Sequence, residues 1–324
     1  MKAAVITPSG FDFAEIEAPR LGSDDVLVRV RAAALNHADL GVLAGRMHGT
    51  TGGRGTVLGM EWAGEVLATG PAVRGLRAGD RVMAMGRGAL AEQAITDSGR
   101  VLPLPRAHMD WQQAAALPIA LQTMHDAIVT RGRLRTGETV LIQGASSAVG
   151  LLGLKLARWL GAALVIGTSR RAFARDRLLD FGAHLALDSG AANWPQQVLD
   201  ATCGRGVDLV IDMLAGPAMN GNLAAAAIGA RIINVGRLAG RLGEFDFDLH
   251  ALRRIEYIGV TFRTRTAAEV TELVRRMRAD LWPPLEAGEL SVPVAATYAF
   301  RDLAEAFAEL RRGGHLGKLV VTLP

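Results

Sequence analysis

Thr139-Val140-Leu141-Ile142-Gln143, followed at once by Gly144-Ala145-Ser146-Ser147-Ala148-Val149-Gly150, is the stretch whose reading decides the fold. A short run of β-branched and apolar residues ended by small ones reads as a strand and its turn. Beyond it Val149, Leu152, Leu156, Trp159 and Leu160 recur at helical spacing, which gives a helix one face to pack on a sheet. The first turn of such a helix carries unpaired N–H groups and the positive end of the dipole, and small residues let diphosphate oxygens approach them. The dinucleotide pattern G-x-G-x-x-G falls on Ala145, Ser147 and Gly150, so only its last glycine is kept. A tight strand-to-helix turn without a ligand can share this sequence, and the next segment is what favours a nucleotide.

That segment is a second strand, Leu164-Val165-Ile166-Gly167-Thr168, ending in Ser169-Arg170-Arg171. An enzyme that uses NAD places an acid about 20 residues beyond the motif, on the ribose 2′-hydroxyl. Here that position is Arg170. A hydroxyl and two guanidinium groups suit a 2′-phosphate, so the expected cofactor is NADPH. The other reading of these arginines is a solvated loop in an arginine-rich chain.

Working outward, the segment before about Trp111 is rich in glycine and short β-type runs, such as Val26-Leu27-Val28-Arg29-Val30-Arg31-Ala32. From Ala114 a helix to Thr130 leads into the first strand, and strands then alternate with helices. The later strands are expected at Leu185–Asp188, Val207–Leu214, Ala230–Val235 and Ile255–Phe262. Together they make an α/β fold with a doubly wound parallel sheet beside a β-rich domain. Thr266–Ala279 reads as a helix that Pro283-Pro284 breaks, and Thr297–Leu323 as a helix with a closing strand, Lys318–Leu323, that returns to the first domain. The nicotinamide is expected between the domains.

With 324 residues, half of them apolar, the chain can form two domains with a core each. The opening run Met1–Pro8 is too short for a signal peptide, and no uncharged stretch is long enough to span a bilayer, so a cytoplasmic location is expected. Cys203 is the only cysteine, which rules out an internal disulfide and a cysteine-based structural metal site. The net charge is +4, but lysine occurs only at Lys2, Lys155 and Lys318, and the arginines are interspersed with acids. No basic stripe forms, so nucleic acid is not an expected partner.

Several motifs carry a resemblance. They are Leu35-Asn36-His37-Ala38-Asp39, Gly59-Met60-Glu61-Trp62-Ala63-Gly64-Glu65-Val66, Ala78-Gly79-Asp80-Arg81-Val82, Ala115-Ala116-Leu117-Pro118 with Thr123, the turn Gly144–Gly150, Gly259–Arg265 and Gly317-Lys318-Leu319-Val320-Val321. Over nearly its full length the chain resembles the medium-chain dehydrogenase/reductase superfamily, and within it the zinc-independent quinone oxidoreductases of the zeta-crystallin type. The resemblance implies a GroES-like catalytic domain of residues 1–113 and 263–324 and a Rossmann domain of residues 114–262. It places Asn36 and Thr123 beside nicotinamide and substrate, with Asp39 close to Asn36. Asn234, Val235 and Gly236 end a strand beneath the nicotinamide, Phe262 and Arg263 (with Arg265 near them) belong to a cofactor segment, and Lys318 approaches the cofactor. A homodimer paired through Tyr257–Phe262 is also implied. For Asp39 a helix cap or core hydrogen bond is an equal alternative, and a strand-end lysine is ordinarily solvated.

Zinc-dependent members of the superfamily place ligands where this chain has Asn36, Met60 and a residue near Ile119. None of these side chains replaces a thiolate or imidazole on Zn²⁺, and the seven histidines show no paired ligand spacing. No metal is expected. The chemistry implied is hydride transfer to an acceptor that is already electrophilic, a quinone or an alkene conjugated to a carbonyl. Many relatives carry a tyrosine in a Gly-x-Tyr context where Gly45-Arg46-Met47 stands here. Met47 predicts a softer, more apolar wall, and moves any proton donation to His48, His125 or water. Two alternatives stay open: an enoyl-thioester reductase, and an NADPH-binding protein without catalysis that serves a structural or RNA-binding role. A short-chain dehydrogenase is excluded, because Tyr257 and Tyr298 are followed four residues on by Thr261 and Asp302 instead of lysine.

Overall fold

The computed structural model describes residues 1–49, 51–105 and 109–324. The chain divides into one unit of Met1–Ile119 with Phe262–Pro324 and a second of Ala120–Thr261. Sequence reasoning set these limits at 113/114 and 262/263.

In the first unit the strand Asp25–Ala34 is the hub. It pairs antiparallel with Glu61–Thr69, with Gln93–Asp97 and with the C-terminal strand Lys318–Thr322. Its inward residues Val26, Val28 and Val30 alternate with more exposed ones, the period-two pattern of a sheet with one buried face. Trp62, Leu58 and Leu90 complete the core, and Phe300, Phe307 and Leu310 of the C-terminal segment pack into it. The C-terminal segment therefore packs within this unit.

The second unit holds six parallel strands in the order Leu185–Leu187, Leu164–Thr168, Thr139–Gln143, Val207–Asp212, Ala226–Asn234, Glu256–Gly259. This is the doubly wound order, whose direction of winding reverses between Thr139–Gln143 and Val207–Asp212. At that reversal Gln143 lies opposite Asp212. Strands buried on both faces read as continuous apolar runs, and Val140, Leu141, Ile142 and Val210, Ile211 are fully buried.

Four expectations need correction. The helix expected at Ala114–Thr130 is divided into Trp111–Ala115, Pro118–Met124 and a π-type stretch His125–Arg131. Pro118 lacks an N–H and pushes Leu117 out of helical geometry. The helix expected to stop near Ala279 runs from Ala267 to Glu286, through both prolines. They fall in its last turn, where Leu281, Pro284 and Leu285 are buried and Ala287 N–H donates to the Pro283 carbonyl. Thr297 lies in a strand, Val294–Ala299, ahead of the helix Leu303–Arg312. The last parallel strand ends at Gly259, so Phe262 lies outside the sheet.

Candidate active site

In the second unit the nucleotide turn is built from local rules. Ser147 caps the helix Ala148–Trp159, its Oγ accepting the Gly150 N–H at 3.1 Å. Gly144 has φ +69°, which only glycine adopts readily. A Cβ on Gly150 would stand 2.7 Å from the Ala145 backbone, so the retained motif glycine permits close helix-to-turn packing. Beside the turn, Ser169 Oγ donates to Ser146 Oγ at 3.0 Å and Ala145 N–H donates to the Thr168 carbonyl. The turn and the end of the second strand therefore form one surface. Arg170 and Arg171 are exposed there, and neither guanidinium has a protein partner among the described residues. Arg175, absent from the sequence-based set, ion-pairs Asp188 at 2.8 Å and donates to the Ser169 and Arg170 carbonyls. It fixes the loop that carries the two free cations.

Farther along the same sheet edge, Val235 and Gly236 N–H both donate to the Asp212 carbonyl. A Cβ on Gly236 would lie 2.5 Å from the Met213 carbonyl oxygen, which accounts for glycine there. Asn234 lines a cavity of about 330 Å³ with Ala215, Met219, Arg237 and Tyr257. Thr123 is half-buried and His125 buried, both in this unit.

The first unit brings Asn36, Asp39 and Lys318 together, with one residue that sequence reasoning left out, Glu61. Lys318 Nζ donates to Glu61 Oε1 and to Asn36 Oδ1, and Asn36 Nδ2 donates to Glu61 Oε1 at 2.9 Å. The lysine and glutamate side chains are only 3% and 0% exposed. Lys318 is therefore not the solvated strand-end lysine of the ordinary case. The other Glu61 oxygen accepts the Ile119 N–H at 2.9 Å. The signal for Glu61 was present, as an acid inside the otherwise apolar run Gly59–Val66. Asp39 caps its helix by accepting the Asn36 backbone N–H at 2.7 Å. Burial raises its carboxyl to about 7, against that hydrogen bond and the Lys318 charge.

Met47 is exposed, on the loop whose Gly49 lies against Arg263: a Cβ there would stand 3.0 Å from the Arg263 carbonyl. Burial, then the Arg263 charge, lowers the His48 pKa, so its imidazole is neutral at neutral pH. The Arg265 guanidinium stacks over the Phe262 ring at 5.5 Å.

Two family patterns match, the alcohol dehydrogenase GroES-like domain over residues 22–106 and the zinc-binding dehydrogenase family over residues 148–279. The chain belongs to the medium-chain dehydrogenase/reductase superfamily. It is an oxidoreductase of that group, whose members use a nicotinamide dinucleotide. Among its relatives is a phenolphthiocerol/phthiocerol polyketide synthase polypeptide of Mycobacterium tuberculosis, 30% identical over 310 residues, or 96% of this chain. The chain spans only 14% of that protein's length. A probable oxidoreductase from Mycobacterium abscessus superposes with a TM-score of 0.86 at 29% identity, covering 99% of this chain and 98% of the other. The JamJ enoyl reductase shares the fold, with a TM-score of 0.86 at 24% identity over 100% and 99% of the two chains.

The two groups implied by this superfamily fare differently against the side chains present. Zinc does not fit, because Asn36, Met60 and Ile119 offer no thiolate or imidazole and the Lys318 ammonium already holds Glu61 and the Asn36 oxygen. A dinucleotide fits, because the turn has the small residues, the capped helix start and the free cations that a phosphate-bearing cofactor needs.

Proposed function

We propose that this dehydrogenase/reductase is NADPH-dependent and zinc-independent, and delivers hydride to a quinone or to an alkene conjugated to a carbonyl. The observation that supports the NADPH preference is the pair of exposed guanidinium groups, Arg170 and Arg171, without a partner among the described residues, at the strand end beside the turn. They would meet the 2′-phosphate, while Gly144, Ala145, Ser146, Ser147, Ala148, Val149 and Gly150 cradle the diphosphate, with Thr168 and Ser169 beside them. Asn234, Val235, Gly236, Phe262 and Arg263 are assigned to the nicotinamide half. Bound there, the cofactor supplies the hydride. The chain's own residues must orient the acceptor, exclude water and steady the oxygen on which charge develops. To Asn36 and Thr123 we assign the orientation of the acceptor, to Lys318 the fixed positive charge behind Asn36, to Asp39 the cap that holds Asn36, and to Met47 an apolar contact.

The second reading is an enoyl-thioester reductase, favoured by the 30% identity to a polyketide synthase and the fold shared with an enoyl reductase. It adds the need for a proton at the α-carbon. We also assign the exposed edge strand Glu256–Gly259 to a two-fold dimer contact, which sedimentation would test.

The deciding experiment follows NADPH and NADH oxidation with a benzoquinone, a naphthoquinone, a 2-alkenal and an enoyl thioester in parallel. Turnover of quinone or enal with NADPH preferred supports the first reading. Turnover confined to the thioester moves the assignment to the second. Tight NADPH binding without any turnover overturns both in favour of a non-catalytic role.

A further inference from the structure

Directly under the nucleotide turn lie four fully buried polar side chains, Thr168, Gln143, Asn222 and Asp212, of which only the first has been given a role. Thr168, Gln143 and Asp212 end three adjacent strands, and Asn222 sits on the helix Met219–Ala225. Gly144 N–H donates to Thr168 Oγ1 at 3.2 Å, Thr168 Oγ1 donates to Gln143 Oε1 at 2.7 Å, and Gln143 Nε2 donates to Asn222 Oδ1 at 2.9 Å. Burial raises the Asp212 pKa, and the Ala215 and Leu214 N–H groups, the Arg237 charge and Asn222 oppose it. Asn222 Nδ2 and Asp212 Oδ2 stop short of full hydrogen-bond geometry, so this last link is the loosest.

Both ends of the chain are fixed in sense. A backbone N–H can only donate and a carboxylate can only accept, so the amide orientations between them follow. Every donor points from the Gly144 turn toward Asp212, an arrangement in which each bond polarises the next. Asp212 Oδ1 in turn accepts N–H from Leu214 and Ala215, both at 2.9 Å. Ala215 stands at φ 55°, ψ −156°, a conformation few non-glycine residues adopt. Three hydrogen bonds thus run from the diphosphate turn to Asn222, and the Asp212 carboxylate next in line holds a strained loop that lines the cavity beside Asn234. The first of these bonds commits the Gly144 N–H inward and leaves those of Ala148 and Val149, which have no intrahelical acceptor, for a ligand.

We propose that Gln143, Asn222 and Asp212 are positioning residues for dinucleotide binding, acting through the Gly144 turn without touching the cofactor. This rests on the dinucleotide part of the proposed function and is independent of the acceptor.

The test is calorimetric titration of the apoprotein with NADP⁺ at pH 7.5, for wild type, Asp212→Asn, Asn222→Asp and the double variant. Each single change sets like against like at the last link, and the double restores a donor facing an acceptor. Each single variant should weaken binding about tenfold or more, and the double should return to within about threefold of wild type. A cavity variant elsewhere in the unit, Val198→Ala, serves as the control for stability alone and should leave binding unchanged. Should a single variant fail to fold, Gln143→Met breaks the chain without changing charge and is expected to weaken NADP⁺ to the same degree. Variants that bind like wild type, or a double no better than the weaker single, would overturn the proposal alone. A wild-type protein that binds neither NADP⁺ nor NAD⁺ would overturn the proposed function and this inference with it.

Discussion

The two units hold buried polar groups in opposite ways. In the first, a full ion pair, Lys318 with Glu61, is shut away from water with Asn36 between its members. In the second, neutral groups pass a hydrogen bond from Gly144 through Thr168, Gln143 and Asn222 toward one acid. A buried ion pair repays its desolvation only while both partners are present, so it behaves as all or nothing. A neutral chain can lose one link at the cost of a few unsatisfied groups. The first device suits a site that must keep a fixed charge, the second a turn whose position must be set.

The sharpest way to break this contrast is Lys318→Met. It leaves the Glu61 carboxylate buried without a counter-ion and should cost about 3–5 kcal/mol of unfolding free energy in urea, with Lys318→Met/Glu61→Gln recovering most of the loss. Gln143→Met in the second unit should cost only about 1–3 kcal/mol. Equal losses would show that the two networks do not differ as described.

A smaller effect separates Asp39 from the ion pair beside it. Its folded value of about 7 lies above the unfolded 3.8, so the folded protein holds this proton more tightly. That contribution to stability is complete below the unfolded value and is lost as pH rises toward 7. Between pH 5 and 7 the wild type should lose about 2 kcal/mol relative to Asp39→Asn, measured as the difference between their denaturation curves. Parallel curves would show that the proton is not held there.

What the sequence disclosed follows the same division. The second unit was legible because its signals are local: an apolar run, a small-residue turn and a helical stripe within Thr139–Leu160 specify their structure without help from distant residues. The cap at Ser147 and the close packing at Gly150 were added by the structure, within that same string. Glu61, Lys318 and Asn36 were harder, since 257 residues separate the paired charges and no local pattern announces a partner. The relay of Gln143, Asn222 and Asp212 escaped notice for a related reason: Gln143 and Asp212 look like ordinary turn flanks until the register sets them side by side, and Asn222 reaches them from a helix, 79 residues beyond Gln143. The helix through Pro283 and Pro284 was misread because proline weakens the turn before it without forbidding it, and here the burial of Leu281, Pro284 and Leu285 holds that turn in place.

The cofactor prediction probes the exposed end of the second unit. Arg170→Ala should weaken NADPH by about tenfold, near 1.4 kcal/mol, and leave NADH almost unchanged, because only the former carries the 2′-phosphate. Equal losses for the two would refute that role. Its effect should fall below that of Lys318→Met, since an exposed guanidinium left without its ligand returns to water at little cost.

The smallest effect on stability is expected at Met47. Its side chain is 57% exposed, so Met47→Tyr should shift unfolding free energy by no more than about 0.5 kcal/mol. If the loop meets the acceptor, the same substitution should still alter selectivity, changing the ratio of kcat/KM for quinone over 2-alkenal by about threefold or more. A phenol adds a hydrogen-bond donor that a thioether lacks, and the ratio reports only a contact that differs between the two transition states. An unchanged ratio with unchanged stability would place Met47 outside the reacting region and return proton donation to water or to His48. As a proton donor His48 would act in its imidazolium form, so its lowered pKa would confine that donation to pH below the ordinary histidine range, and the rate would fall as pH rises through it.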